Sequence, residues 1–263
     1  MLDGLRQLGS FFIRCARYFG EFALFATKAI GMLFDRPPFL RETIAQMYHI
    51  GVRSLPLVGL AGLSIGIVMG MQTIDILGKF GATQYVAVVV GLSMVEELGP
   101  VITALLVAGR AGSGISAELG SMLVTRQIDA LKVLAINPVK FLATTRIVAC
   151  ILVLPLLTAL ADFLGILGGI FVAVTQAGIQ YEAYVYKTLD FIRITDFIPG
   201  LIKASVFGLI IGTVACHEGF KVHGGTEGVG RSTTSAVVLS SLMILVSDVY
   251  MTKILITLWP EIG

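Results

Sequence analysis

Five apolar stretches, each longer than the roughly 20 residues that cross a bilayer core as helix, constrain this chain more than any other feature. They run approximately from Ser54 to Leu77, Tyr85 to Gly109, Ile147 to Val174, Phe197 to His217 and Ser235 to Leu258. In hydrocarbon every backbone polar group must be satisfied internally, so only helices or a closed barrel can span. Barrel strands alternate apolar and polar residues over about ten positions, and runs such as Val86 to Val90 do not. The composition agrees: 56% hydrophobic and 14% charged residues, with a mean hydropathy of +0.90, leave too little polar surface for a soluble enzyme or a disordered chain. The expected class is an all-α polytopic membrane protein.

Residues 1–53 are expected to form an interfacial segment with its connector, and residues 54–263 the five-span domain. Between Leu5 and Leu33 the charges fall on one side of a helix, with Arg6, Arg14, Arg17, Glu21 and Lys28 opposite Phe11, Phe12, Phe19, Phe22 and Phe25. That pattern predicts an amphipathic helix lying in the membrane interface, stopped at Asp35-Arg36-Pro37-Pro38. Charges interrupt any signal-peptide apolar region, so cleavage is not expected. Five spans place the termini on opposite sides. Seven Lys or Arg precede the first span, five lie from Arg110 to Arg146, and Lys221 and Arg231 precede the fifth. The opposite side receives only Lys79, Lys187, Arg193 and Lys253, so the N-terminus is expected in the cytoplasm and the C-terminus outside it.

The net charge of +2 is too small, and its basic residues too dispersed, to indicate nucleic-acid binding. Cys15, Cys150 and Cys216 show neither disulfide nor zinc spacing and read as packing residues. In the first span Gly62, Gly66 and Gly70 form a small-residue stripe that lets another backbone approach. Its partner is either another span of the same chain or a second copy.

Charges inside a bilayer cost about 2.5 to 3.5 kcal/mol each on insertion scales and mark pairs or cavities. Here they are Glu96 and Glu97 in the second span, Asp162 in the third, Lys203 in the fourth and Asp248 in the fifth. Lys203 is expected either to pair with Glu97 or Asp248 and hold the bundle, or to line a polar pocket with them; the two are compatible. Asp162 receives no role. Pro100, after Gly99, removes a backbone donor and favours a kink beside the two glutamates.

Gly109-Arg110-Ala111-Gly112-Ser113-Gly114 resembles a phosphate loop superficially but lacks the Gly-Lys-Ser/Thr that reaches nucleotide phosphates. With no metal cluster or nucleophile–base set either, ATP hydrolysis by this chain is not expected. The segment of Arg126, Gln127, Ile128, Asp129, Ala130, Leu131 and Leu134, stopped at Asn137-Pro138, reads as a short helix between spans that docks on a soluble partner.

Two blocks carry a family resemblance. The first runs from Glu97-Leu98-Gly99-Pro100 through Gly109-Arg110-Ala111-Gly112-Ser113, Ala117-Glu118-Leu119-Gly120 and Gln127-Ile128-Asp129-Ala130-Leu131. The second comprises Gly200 to Gly208, Gly228-Val229-Gly230-Arg231 and Asp248. Together they resemble the MlaE permeases, the membrane subunits of MCE-associated ABC lipid transporters, with departures at Arg126 and Thr145. The resemblance implies a non-catalytic homodimeric permease of a bacterial inner membrane, part of an Mla-type phospholipid pathway that maintains outer-membrane lipid asymmetry. It implies as partners a cytoplasmic ATPase dimer that binds ATP and Mg, a periplasmic ring of MCE-domain protein, phospholipid, and in Mla systems a small STAS-domain protein. By the same resemblance Glu97, Lys203 and Asp248 lie in or near the substrate cavity, and residues 126–134 form the coupling helix. No cofactor is expected in this chain. The competing reading is a proton-coupled secondary carrier of an amphipathic substrate, with Glu97, Asp162 and Asp248 as relay groups.

Overall fold

The computed structural model describes residues 17, 18, 20–32 and 39–258. All regular elements among them are helical: α1 (20–31), α2 (Leu40–Ile50), α3 (Leu55–Lys79), α4 (Val86–Ser93), α5 (Gly99–Val107), α6 (Ser113–Val124), α7 (Gln127–Val133), α8 (Thr144–Gln176), α9 (Tyr181–Phe191), α10 (Ile194–Phe220) and α11 (Gly225–Leu258). Five continuous helical stretches are long and apolar enough to cross a membrane: Leu40–Lys79, Thr83–Val124, Val139–Gln176, Thr195–Phe220 and Gly225–Thr257. The protein is thus a polytopic membrane protein with five spans.

Most spans are longer than their apolar cores, because polar turns continue the helices beyond the hydrocarbon. The expected connector between the second and third spans is mostly helix: α6 extends the second span to Val124, and Arg110 sits inside it. The expected connector before the first span likewise contains α2.

The α8 helix, about 50 Å long at 1.5 Å per residue, is the central element and contacts α2, α3, α5 and α10. Its contact with α3 answers the question left by the glycine stripe. Gly62, Gly66 and Gly70 face Ala161, Gly165 and Gly169 in parallel register. At Gly62 a Cβ would stand 2.7 Å from the Ala161 carbonyl oxygen, and at Gly66 it would overlap the Gly165 backbone outright. The partner is a second small-residue stripe in the same chain. α10 crosses α8 antiparallel, with Gly208 on the Cys150 backbone and Gly212 on Ile147. Cys150 and Cys216 are buried free thiols in this core, and Cys15 lies outside the described residues.

Only part of the N-terminal amphipathic helix is described; Arg6, Phe11, Phe12, Arg14, Phe19 and the stop at Asp35 to Pro38 lie outside those residues. The described part turns half-buried aromatic residues onto the end of α10. Phe22 and Phe25 sit 5.3 and 5.5 Å from the His217 ring, Ala29 is fully buried, and Tyr18 donates to Glu218 at 2.6 Å. The charged face contributes an ion pair from Glu21 to Lys221, which holds the Glu21 carboxyl below its ordinary range. The aromatic face is therefore a docking face for the end of α10.

Candidate functional site

The second span is wound irregularly where its charges lie. Residues Met94–Leu98 form a π-helical turn leading into Gly99 and Pro100, as π-bulges commonly do at functional sites. Pro100 has no N–H to give, so carbonyls one turn earlier are open. Lys203 Nζ donates to the Glu96 carbonyl at 3.1 Å. Gly200, one turn before Lys203 on α10, packs on the Val95 carbonyl, where a Cβ has no room.

Lys203 is the hub of the site. Its ammonium stands 2.7 Å from Glu97 Oε1 and 3.4 Å from Asp248 Oδ1. Thr252 Oγ1 donates to the same Glu97 oxygen at 3.1 Å. The lysine is only 2% exposed, whereas the Glu97 and Asp248 side chains are 40% and 19% exposed. One desolvated cation is thus held by two carboxylates whose outer edges remain open. The sequence left the choice between Glu97 and Asp248 undecided, and the structure brings both to the lysine. Thr252 was missed, since an intramembrane threonine carries no signal until its neighbour is known.

Beside the cluster is a cleft of about 50 Å³ lined by Glu96, Glu97, Pro199, Lys203, Thr252 and Leu255 among others. Across α11 from the cluster lies an apolar groove of about 560 Å³, walled by Tyr18, Phe22, Val206, Ile210, Leu239 and Met243 among others. By helix rise, Lys203 lies about 13 Å from the start of α10 and Asp248 about 15 Å from the end of α11. The cluster is therefore nearer the side where α10 begins.

A profile of the family described as Permease MlaE matches residues 43–254. This chain belongs to the MlaE permease family. A probable ABC transporter permease of Rickettsia typhi is 40% identical over 255 residues, 97% of this chain and 98% of the relative. The intermembrane phospholipid transport system permease MlaE of Haemophilus influenzae is 34% identical over 229 residues, 86% of this chain and 88% of the relative. The chloroplastic protein TRIGALACTOSYLDIACYLGLYCEROL 1 of Arabidopsis thaliana is 35% identical over 208 residues, 79% of this chain and 59% of the relative.

The other residues of this MlaE-family permease singled out from sequence lie apart from the cluster. Asp162 is 1% exposed and its Oδ1 has no hydrogen-bond partner. It faces Gly99, where a Cβ would collide with the carboxyl. Gly99→Ala should destabilise by about 1–3 kcal/mol through overpacking, and adding Asp162→Ala should recover part of the loss. Thermal melts in detergent check this; a double variant no more stable than Gly99→Ala would contradict the contact. Among the described residues no His, Cys, Asp and Glu group is arranged to hold a metal.

The segment between spans folds as expected in shape. α7 is bracketed by two non-glycine residues with left-handed backbone, Arg126 (φ 59°) and Ala135 (φ 58°). Ile128 is buried and Leu131 half-buried, whereas Arg126, Gln127, Asp129, Ala130 and Leu134 are exposed. Val133 and Leu134 present apolar surface outward at 87% and 69% exposure. Lys132, 2.9 Å from Asp129, holds that carboxyl below its ordinary range.

Proposed function

We propose that this chain is the membrane subunit of an ABC transporter that moves phospholipid between the bacterial inner membrane and a periplasmic MCE-domain partner, and so maintains outer-membrane lipid asymmetry. The observation that carries this reading is the charge cluster around Lys203 inside the spanning bundle, with its open carboxylate edges. The cluster holds two partly exposed carboxylates on a desolvated lysine, and an apolar groove of about 560 Å³ lies along the same helices, across α11 from it; polar and apolar surfaces of this kind suit a headgroup and acyl chains. A relative named for intermembrane phospholipid transport, at 34% identity, supports the same substrate class.

The cleft beside Lys203, about 50 Å³ in one chain, has room for only a few waters. A second copy set against α11 enlarges it to lipid size. Exposed apolar side chains along α11, Val238, Leu242, Leu245, Val249 and Ile254, suit that role. The distribution of basic residues puts the N-terminus in the cytoplasm and the C-terminus in the periplasm. In that orientation the Lys203 cluster opens toward the MCE ring, and α7 faces the cytoplasm.

There α7 is the coupling helix. Ile128 and Leu131 anchor it to the bundle, while Val133 and Leu134 insert into a separate ATPase dimer that holds ATP and Mg, with a STAS-domain protein bound to that ATPase. Asp129→Lys places two like charges where a pair now stands and should abolish ATPase binding or lipid-dependent ATP turnover. Pull-down and turnover on correctly inserted protein check this, and wild-type values for both would refute the docking. Reconstitution of the complex tests the whole reading. ATP-dependent lipid transfer is expected; transfer driven by a proton gradient without ATP would instead identify a secondary carrier.

A further inference from the structure

The Gly109 to Gly114 motif fits no nucleotide loop and has no part in the Lys203 cluster. The geometry points to a second binding site built around Arg110 and Arg53, selective for a phosphate group, at the end of the bundle opposite Lys203. The two arginines line a cavity of about 310 Å³ with Gln46, His49, Gly114 and Glu118 among its other walls.

Arg110 is fixed in place. Its guanidinium donates to Ser54 Oγ at 2.7 Å and to the Ile50 and His49 carbonyls at 3.3 and 3.4 Å, at the end of α2 where Ser54 Oγ in turn donates to the Ile50 carbonyl. This holds a cation at the cavity wall without neutralising it. Arg53 is exposed and makes no ion pair with a described carboxylate. The carboxylate in the lining, Glu118, is engaged at 2.8 Å by the buried Arg146. Two arginines therefore face the cavity against one half-exposed carboxylate that is already paired with a third arginine, and the planar guanidinium suits phosphate oxygens.

Position favours a lipid phosphodiester over a soluble ion. Arg53 stands two residues before Leu55, where the apolar α3 begins. On the face of α2 opposite Gln46 and His49, Leu40, Ile44 and Tyr48 are exposed as a bilayer would cover them. The cavity mouth is thus at headgroup depth. Gly114 leaves one wall open, since a Cβ there meets nothing within 4 Å.

The site requires no transport cycle, so its test is separate from that of the proposed function. The full chain, stripped of lipid in a phosphate-free maltoside detergent, is titrated separately with dihexanoyl phosphatidylglycerol, with a dihexanoyl glucosyl glycerolipid lacking phosphate, and with inorganic phosphate. Thermal stabilisation reads binding. Wild type should be stabilised by phosphatidylglycerol and not by the glycolipid, and both Arg53→Gln and Gly114→Leu should raise the half-saturating concentration at least about tenfold, the loss of one charge-assisted contact. Gly114→Leu fills the cavity with a good helix former and leaves the arginines untouched, so it separates occupancy from charge. Stabilisation by inorganic phosphate that both variants weaken supports the same site with a soluble occupant. Equal stabilisation by the glycolipid, an unchanged response in both variants, or no response of wild type to either phosphate compound overturns the proposal.

Discussion

Gly66→Leu should prevent α3 and α8 from closing, with a loss of more than about 3 kcal/mol, beyond the usual range for overpacking a core. The reason is the register of the two small-residue stripes. At Gly66 a Cβ falls on the Gly165 backbone, and main chain cannot rotate aside as a side chain can. Gly70→Ala meets a looser contact, 3.3 Å to the Gly169 Cα, and should cost no more than about 1 kcal/mol. The two variants therefore form a graded test, read by thermal melting in detergent and by the fraction recovered as folded protein. Equal stability of wild type and Gly66→Leu would mean that the helices do not meet there.

The second large effect concerns Lys203, and the structure makes it asymmetric. Glu97→Gln and Asp248→Asn each leave the lysine one carboxylate, and the removed partner is 40% or 19% exposed; each should cost about 1 kcal/mol or less. The double variant strands a cation that is 2% exposed and should cost about 3–5 kcal/mol. The exchange Glu97→Lys/Lys203→Glu should restore part of the stability lost by Lys203→Glu alone. Lipid retained per purified complex, measured on the two mild single variants, separates structure from substrate contact: unchanged stability with altered lipid content marks the open carboxylate edges as part of the lipid site. If stability, lipid content and transport are at wild-type values in the single, double and exchanged variants, the cluster has neither role.

Several features were legible from residues alone because their causes are local. Length and hydropathy decide that five stretches become spanning helices, since no other open backbone arrangement satisfies its hydrogen bonds in hydrocarbon. Pro100 announces an irregular turn beside Glu96 and Glu97, and the π-helical turn at Met94–Leu98 lies there. α7 announces itself by its charges and by Asn137-Pro138. The matching stripe Ala161, Gly165 and Gly169 was legible in principle, because it repeats the spacing of Gly62, Gly66 and Gly70, but spacing alone does not pair one stripe with another.

The sequence by itself determined the class of this protein, the number of its spans, its family and the short roll of charges that a membrane tolerates only with partners. Those follow from composition, from period and from motifs read along one chain. Tertiary structure alone decided which partner each charge has. Lys203 is 106 residues from Glu97 and 45 from Asp248, and it meets both only because α10 lies between the irregular turn of the second span and α11. It also decided that Arg110 faces a cavity with Arg53, and that Phe22 and Phe25 cover His217. Such contacts depend on helix rotation and register, which are set by where small residues let backbones approach on every neighbouring helix at once, and no single segment carries that information.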